Sequence, residues 1–454
     1  MSAVYPALIS SFGIAGIGAV LTACLRPKLI GSLFIVLVVL GTGIMLNGYA
    51  LVDEYLVACI ILGVFIFLSV RPWNQSLATQ NPTMLSKIHF WVFFLFMLYM
   101  VFQSFRGLIF LEDPRMIRFI VFFLMLAVFT YLASSGFISF PVPAQTINLV
   151  LVSTTAYFIL YLLHGISSEL LNGINRFDVQ GYEWSGSTVA MFPVFTLIPA
   201  IYSGMNRKNQ DLIPFPIVKI NPRILSWLSL LVAVGASFYY DSRISLLAII
   251  GFLVISSREL GILRTLVIAI VFIVSFFAIY LIAFPGQNFF FEIENLFTTL
   301  FISGAGMQAS DADRKLAVLA ALRMIGGGAW SLLFGTGFYT ERFTMIPHYV
   351  ETLLDHGLRV GSIEIVRVST FPSFLGGTGV IGIVFLIASF FFTACEIFVN
   401  TKHSNLKFRK VLLFTLLLVF VSTFIGTNLD LILFYFCIMP SGLLVQMSKY
   451  KEVT

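Results

Sequence analysis

The chain has 454 residues, of which 59% are hydrophobic and only 11% are charged. A soluble domain carries roughly a quarter charged residues, so this composition excludes an ordinary soluble protein. The net charge of +6 does not indicate nucleic acid, because basic residues in a membrane protein are sorted by side. We therefore expect a polytopic α-helical membrane protein with no nucleic-acid partner.

Apolar runs of roughly 20 residues, the length that crosses a hydrocarbon core, recur along the chain. The first run lacks a basic leader and a small-residue cleavage site, so we expect an uncleaved span. Charged, proline and glycine breaks delimit thirteen predicted spans at 4–24, 29–47, 55–70, 88–106, 117–134, 144–163, 187–204, 224–240, 244–257, 265–284, 373–396, 411–428 and 431–447. The expected fold class is all-α, with one membrane domain over residues 1–454.

The charged residues predict the direction of these spans. With the N-terminus outside, sixteen of the 27 basic residues fall on the inner side. Of the 21 acidic residues, only Asp211, Glu259, Glu396 and Glu452 fall there. Both biases agree with the positive-inside rule, so we expect an outer N-terminus and an inner C-terminus.

One segment interrupts the regular series of spans. Residues 285–372 form a predicted outer region that is long enough for several helices and contains apolar stretches such as LAVLAALRMI. A connection of this length is usually a lid, a binding element or a disordered segment, and its apolar content argues against disorder. We expect helices that lie on or dip into the outer leaflet and carry part of the active site.

Charged side chains at membrane depth are costly unless paired or hydrated, so each is a functional candidate. Arg106, near the outer end of the fourth span, is either a snorkelling anchor or part of a site. Arg243 lies in the tight turn FYYDSRISLL, where pairing with Asp241 is the alternative to a phosphate contact. Asp53 and Glu54 in the first outer loop either bind a divalent cation or cap the next span.

The stretch SDADRKLAVLAALRMIGGG, residues 310–328, predicts a capped helix in the outer region. Ser310 is the expected N-cap, and the three glycines end the helix. Asp311 and Asp313 form a tempting metal-binding pair, but acidic residues in a first helical turn are the commoner case. Helical spacing places Arg323 on the apolar stripe of this helix, which makes it a candidate.

The segment PHYVETLLDHGLRVG predicts a helix with one polar face. That face contains His348, Glu351, Thr352, Asp355, His356 and Arg359, and the opposite face contains Val350, Leu353 and Leu354. A solvated face is the simple interpretation; a site that opens against it makes a histidine or an acid the general base. Glu364 and Arg367, three residues apart, are either part of a site or no more than an exposed ion pair. The candidate catalytic residues are His348, His356, Asp355 and Glu364.

These outer arginines, acids and histidines suit an anionic amphiphile. Arginine binds phosphate through two parallel hydrogen bonds, and it stabilises a departing pyrophosphate. The sequence has no cysteine nucleophile, no Ser-His-Asp spacing and no Walker sequence. We therefore expect sugar transfer from a lipid diphosphate that enters from the outer leaflet, with no metal ion or cofactor.

Three stretches carry a family resemblance. They are SRISLL at 242–247, the run from SDADRKLAVLAALR at 310 to FGTGF at 334, and STFPSFLGGTGVIGIVFLI from 369. The first opens a span, the second is an arginine-led outer helix with a Gly-x-Gly-Phe segment, and the third enters the span after the outer region. Together they resemble the superfamily of bacterial O-antigen polymerases and ligases, over roughly residues 225–400.

The resemblance implies a GT-C-like glycosyltransferase in the bacterial inner membrane, with a periplasmic outer region. Where the ligases carry a catalytic histidine before an asparagine, this chain has Ser369 and Thr370, which favours a polymerase. The implied partners are a polyprenyl-diphosphate-linked oligosaccharide, membrane lipid and a chain-length regulator protein. The candidate diphosphate ligands are Arg243 and Arg314, helped by Arg106, Arg323 or Arg367.

Three alternatives remain open at this point. A ligase would move finished glycan onto a lipid core or a protein. A metal-dependent transferase would use a polyprenyl monophosphate sugar together with Asp53 and Glu54. A secondary transporter or lipid flippase would also gather intramembrane arginines, but the sequence lacks the two-fold repeat typical of that class.

Overall fold

A computed structural model describes residues 84–112, 116–134, 221–239, 243–260, 309–355, 370–400 and 406–425, scattered helical positions between 151 and 205, and four two-residue strands. The helices are α1 (Met84–Leu111), α2 (Ile117–Ser134), α3 (Pro222–Tyr239), α4 (Arg243–Leu260), α5 (Ala309–Ile325), α6 (Ala329–Phe334), α7 (Glu341–Thr344), α8 (Ile346–Asp355), α9 (Thr370–Asn400) and α10 (Leu406–Ile425). The strands β1 (Met45–Leu46) and β2 (Tyr49–Ala50), and β3 (Ile213–Pro214) and β4 (Lys219–Ile220), form two antiparallel pairs. The predicted helical class is confirmed for the described residues.

Six predicted spans coincide with helices, because long apolar runs without internal breakers favour the helix. The predicted spans 88–106, 117–134, 244–257 and 373–396 lie within α1, α2, α4 and α9, and the described parts of 224–240 and 411–428 lie within α3 and α10. Among the described residues, two helical segments are long and apolar enough to cross a membrane, Lys87–Leu111 and Phe371–Val399. The count of thirteen spans and their sides stay predictions, since several of these spans lie outside the described residues.

Helices α1 and α9 pack against each other and run antiparallel. The ring of Phe96 stacks on Phe385 with centroids 5.9 Å apart, and towards the start of α1 His89 meets Thr393 near the end of α9. Antiparallel packing agrees with the opposite directions predicted for these two spans. On the outward face of α1, large apolar side chains such as Trp91 and Phe105 are exposed, as expected of a helix that faces lipid.

Within the predicted outer region, residues 309–355, which the structure describes, form the four helices α5 to α8, as the apolar stretches led us to expect. The alanines Ala317, Ala320 and Ala321 are fully buried on one side of α5, so α8 and α9 approach this helix closely. Helix α5 ends at Ile325, directly before the three predicted stop glycines.

Helix α9 is broken at Gly379, whose φ of 65° and ψ of −166° are not helical. A short segment therefore precedes the break and a longer one follows it. Pro372 lies in the first turn of the helix, where its missing N–H costs no hydrogen bond. The longer part packs against α10, where Phe390 contacts Phe420 edge to face at 4.9 Å. This break sets the position of the candidate site.

Candidate functional site

Residues 335–340 connect α6 to α7 and are called here the α6–α7 turn. This turn forms backbone hydrogen bonds with the part of α9 that precedes its break at Gly379. The backbone N–H groups of Thr336 and Gly337 donate to the carbonyl oxygens of Gly376 and Gly377, each at 2.9 Å. A helix that is broken at Gly379 leaves the carbonyl groups before the break without their usual partners. The α6–α7 turn supplies those partners, as buried backbone groups in a membrane protein require.

The same turn is bonded to α1. The N–H of Phe338 donates to the carbonyl oxygen of Gln103 at 3.0 Å. The Phe338 ring meets Phe119 and Phe123 of α2 edge to face, at 5.3 and 5.6 Å. A Cβ atom at Gly107 would lie 2.3 Å from the Phe338 carbonyl oxygen, so a glycine in α1 allows this approach. Three helices therefore hold the turn.

Two glycines with left-handed backbone conformations face each other across this junction. Gly335 and Gly379 both have a φ of +65°. A Cβ atom at Gly335 would lie 2.5 Å from the Gly377 carbonyl carbon, and one at Gly379 would lie 2.5 Å from the Leu333 carbonyl oxygen. Any side chain at either position combines backbone strain with steric overlap. The Gly-x-Gly-Phe and Gly-Gly-x-Gly patterns thus have a shared structural cause.

Arg106 holds the end of α6. Its Nη1 donates to Gln103 Oε1 at 2.9 Å and to the Phe334 carbonyl oxygen at 3.0 Å, and its Nη2 donates to the Gly335 carbonyl oxygen at 3.0 Å. The last carbonyl groups of a helix lack internal partners, and a cation is favoured there. Arg106 is thus a cap on α6 and not a snorkelling anchor. Its predicted contact with a diphosphate stays a prediction.

A buried polar network extends this contact into the middle of α1. Gln103 Nε2 donates to Tyr99 Oη at 2.7 Å and to the Phe334 carbonyl oxygen at 2.8 Å. Tyr99 Oη donates in turn to the carbonyl oxygen of Thr378, directly before the break in α9. Two polar side chains of a candidate span, Tyr99 and Gln103, therefore donate hydrogen bonds to backbone carbonyl groups. One carbonyl group lies before the break in α9 and the other at the end of α6.

Glu341, the first residue of α7, is the most deeply buried acid of this junction, with 1% of its surface exposed. Ser373 Oγ donates a hydrogen bond to Glu341 Oε1. Glu341 Oε2 has no hydrogen-bond partner among the described residues. It lies against the Gly377 backbone, since a Cβ atom there would be 2.9 Å from it. One oxygen of the carboxyl group is thus held and the other is available.

Burial raises the pKa of the Glu341 carboxyl group to about 6, because the charged form loses its hydration. The positive charge of Arg342, the hydrogen bond from Ser373 and the backbone N–H groups of Glu341 and Tyr339 lower the pKa of this carboxyl group and limit the rise. A carboxyl group with a pKa near neutrality in a polar junction is a functional candidate, since acid–base groups are tuned in this way.

Next to Glu341, the chain carries a strained residue and a stacked arginine. Tyr339 has a φ of 71°, which is uncommon for an aromatic residue and occurs at functional sites. The Arg342 guanidinium lies over the Tyr339 ring, 4.5 Å from its centroid. Arg342 Nε is buried without a hydrogen-bond partner among the described residues. This arginine was absent from the sequence-based candidates.

The predicted candidates Arg323 and Asp355 contact each other. Arg323 Nη2 lies 2.6 Å from Asp355 Oδ2, and Nη1 lies 4.0 Å from Glu351 Oε2. These side chains are 38%, 53% and 65% exposed, respectively. Arg323 therefore lies at the surface of α5, paired with α8, and is not an isolated charge on an apolar stripe.

The predicted polar face of α8 is partly wrong. Thr352 is fully buried beside Leu353, and Leu354 is 61% exposed. The buried stripe follows Met345, Tyr349 and Leu353, because α5 and α9 cover that side of the helix. Asp355 and Glu351 do lie on the exposed side, and His348 is half-buried.

The remaining candidates are described in part or not at all. Arg243 begins α4 and Arg314 lies in the second turn of α5, but their side chains are outside the described residues. His356, Glu364 and Arg367 lie outside the described residues, as do Asp53 and Glu54, and the side chains of Asp311 and Asp313. Among the described side chains, the structure brings together one predicted diphosphate ligand and one predicted base, Arg323 and Asp355.

A second set of buried polar side chains, which includes His89 and Glu396, lies where the start of α1 meets the end of α9. His89 Nδ1 is 3.1 Å from Glu396 Oε2, and His89 Nε2 is 3.1 Å from Thr393 Oγ1. The side chains of His89 and Glu396 are 0% and 2% exposed. The predicted inner-side position of Glu396 stays a prediction; in the structure α9 continues past this residue, which is buried against His89 of α1.

The sequence carried weak signals for these missed residues. Glu341 lies shortly after the Gly-x-Gly-Phe segment, separated from Phe338 by Tyr339 and Thr340, and His89 is an ionisable residue inside an apolar run. Their partners are 32 residues and more than 300 residues away along the chain, so no local spacing indicates them.

No protein-family model matches this chain, and no curated protein matches it in sequence. The resemblance to the O-antigen polymerases and ligases therefore rests on the three short stretches alone.

Proposed function

We propose that this chain is a membrane glycosyltransferase that polymerises an O-antigen or a related surface polysaccharide. It would transfer a glycan chain from polyprenyl diphosphate to a lipid-linked repeat unit on the periplasmic side. The observation that carries this proposal is the junction between the α6–α7 turn and the break in α9. FGTGF at 334–338 and LGGTG at 375–379 belong to two stretches of the family resemblance, and their backbones are hydrogen-bonded to each other.

Arg243 and Arg314 are the proposed ligands of the donor diphosphate. Both lie within the first two turns of their helices, where the helix dipole also favours an anion. Two N–H groups of a guanidinium donate parallel hydrogen bonds to two phosphate oxygens. They stabilise the charge that develops when the glycosidic bond to the diphosphate breaks. No metal ion is needed for this role.

The test is polymerisation by the purified, reconstituted protein. Polyprenyl-diphosphate oligosaccharide is supplied with a chelator and without nucleotide sugar, and the expected product is a ladder of chain lengths that keep the polyprenyl anchor. Arg243→Ala and Arg314→Ala should leave single lipid-linked units unextended. A wild-type protein that makes no ladder overturns the proposal, and so do normal chain lengths in both variants. Transfer to a lipid core, with loss of the anchor, indicates a ligase instead.

A secondary transporter or lipid flippase is the second candidate, because His89 and Glu396 form a buried ionisable pair within two candidate spans. Such groups commonly mark proton or ion pathways. This candidate predicts that proteoliposomes translocate lipid-linked oligosaccharide in response to a pH gradient, that Glu396→Gln abolishes the response, and that no ladder forms.

A further inference from the structure

We propose that Glu341 is the general base of the transfer reaction, which removes the proton from the acceptor sugar hydroxyl. The inference rests on the proposed function and adds a catalytic residue to it. It replaces His348 and Asp355 in that role, since the first is half-buried on α8 and the second is paired with Arg323.

The geometry gives the two carboxyl oxygens of Glu341 different roles. Oε1 accepts the hydrogen bond from Ser373, which fixes the orientation of the group. Oε2 has no hydrogen-bond partner among the described residues, although the side chain is almost fully buried. A buried acceptor without a hydrogen-bond partner costs folding free energy. Such a group in a native structure therefore calls for an explanation, and a catalytic role is one. An acceptor hydroxyl that donates to Oε2 completes the hydrogen bonding of the group.

Two glycines of α9, Gly376 and Gly377, lie beside the Glu341 side chain. A Cβ atom at Gly376 would lie 3.1 Å from Glu341 Cβ, and one at Gly377 would lie 2.9 Å from Glu341 Oε2. The Met324 methyl group covers Gly376, since it would lie 2.8 Å from a Cβ atom there. Methionine is a flexible side chain, so this contact at Gly376 can rearrange when a substrate approaches.

The reaction step balances as a direct displacement. The acceptor hydroxyl oxygen forms a bond to the anomeric carbon of the donor sugar, and the bond from that carbon to the diphosphate oxygen breaks. The hydroxyl proton passes to Glu341 Oε2, and polyprenyl diphosphate leaves with the bonding electron pair. Attack opposite the leaving group inverts the anomeric carbon.

The local charges favour this role at neutral pH. The pKa of Glu341, raised to about 6 by burial, leaves the group mostly ionised above pH 7 and keeps it a stronger base than an exposed carboxylate. Arg342 and the Ser373 hydroxyl lower the pKa, so both keep the carboxylate available as a proton acceptor.

The experiment compares four reconstituted proteins, namely wild type, Glu341→Gln, Glu341→Asp and Ser373→Ala. Glu112→Gln, an exposed acid at the end of α1, is the matched control. The initial rate of ladder formation is measured from pH 5 to 9. Binding is measured as retention of radiolabelled polyprenyl-diphosphate oligosaccharide on immobilised protein.

We expect Glu341→Gln to lower the rate by about 10²- to 10⁴-fold, the usual contribution of a general base, with donor binding unchanged. Glu341→Asp should restore part of the rate. Ser373→Ala removes a hydrogen bond that lowers the pKa of Glu341, so the acidic limb of the rate profile should move to higher pH while the plateau above it persists.

The outcomes separate the two proposals. A wild-type protein without a ladder overturns the proposed function and this inference with it. A wild-type ladder together with an unimpaired Glu341→Gln protein overturns only the assignment of the base. If Glu341→Gln does not fold, the Ser373→Ala profile decides, and an acidic limb that stays at the wild-type pH overturns the assignment.

Discussion

Arg106 Nη2 donates a hydrogen bond of 3.0 Å to the carbonyl oxygen of Gly335, the first residue after α6. A side chain from a candidate membrane span is thus used to close the end of a short helix in the predicted outer region. The same guanidinium also reaches Phe334 and Gln103, so it links α1 to the α6–α7 turn. Arg106 thus adds a side-chain contact to the backbone hydrogen bonds that hold the turn.

Removing the Arg106 side chain should destabilise the fold. Arg106→Ala leaves the Gly335 carbonyl oxygen without its arginine donor, at a cost of about 1–3 kcal/mol if it stays buried, whereas the Phe334 carbonyl oxygen still accepts from Gln103. Arg106→Lys should recover only part of this, because an ammonium group cannot reproduce a planar two-site contact. Thermal unfolding in detergent measures both variants. A wild-type melting temperature with lost donor binding would instead show that Arg106 binds the diphosphate.

Alanine at Gly335 or Gly379 should be strongly destabilising. Each substitution forces a Cβ atom to within 2.5 Å of backbone on the opposite side of the junction. The left-handed conformation itself adds roughly 1–2 kcal/mol for a residue with a Cβ atom. Gly328→Ala is the control, because a Cβ atom there meets nothing within 4 Å and its φ of 174° suits any residue. Equal melting temperatures for all three variants would contradict the described junction.

Replacing Glu341 by glutamine should stabilise the protein above pH 6. The folded-state pKa of about 6 exceeds the ordinary 4.5, so between these values the folded state keeps a proton that the unfolded chain releases. The free energy of unfolding therefore falls as the pH rises through this window, by about 2 kcal/mol in all. Below pH 4.5 this loss is absent.

Glutamine cannot ionise, so the variant avoids that loss. Its melting temperature relative to wild type should rise from pH 4 to pH 7.5, as measured by thermal unfolding across the pH range. A difference that does not change with pH would show that burial leaves the Glu341 pKa at its ordinary value.

The Arg323–Asp355 pair should contribute little to stability. Both side chains are more than a third exposed, so a double-mutant cycle with alanine should give a coupling energy below about 1 kcal/mol. The same two alanine variants also test whether Arg323 binds the donor diphosphate. If Arg323 binds the diphosphate, Arg323→Ala weakens donor retention and Asp355→Ala does not; if the pair only joins α5 to α8, the two variants behave alike.

Removing either partner of the His89–Glu396 pair should, in contrast, strongly destabilise the protein, because both side chains are buried. Removing one partner of a buried pair costs roughly 3–5 kcal/mol, since the other is left without compensation. His89→Leu and Glu396→Leu should each lower the melting temperature sharply, and the double variant should lie closer to wild type than the sum of the two. Additive losses would show that the two side chains do not interact.

Helix positions were predictable because they follow from local sequence. Apolar runs fix where α1 to α4, α9 and α10 lie, and the glycines after Ile325 fix the end of α5. The break inside α9 was not predicted, although Gly379 was noted as part of a motif. Its cause is the close approach of Gly335, which is 44 residues earlier in the chain and invisible to any local pattern.

The candidate site was predictable in its region but not in its residues. Sequence reasoning selected 285–372 and its arginines, and Arg106 does reach that region. Arg323 was misinterpreted because its partner lies on another helix, and Glu341 was missed because burial, which raises its pKa, is a property of the tertiary fold. Helical periodicity placed Thr352 on the wrong face because two helices, and not one, cover α8.

The carbonyl oxygens of Gly376 and Gly377 give α9 a choice between two sets of hydrogen-bond donors. In the bent helix they accept from Thr336 and Gly337, whereas in a continuous helix they would accept from residues one turn further along α9. Within lipid neither oxygen tolerates a lack of donors. The hydrogen bonds from the α6–α7 turn therefore supply, at the bend of α9, the donors that a continuous helix would find within itself.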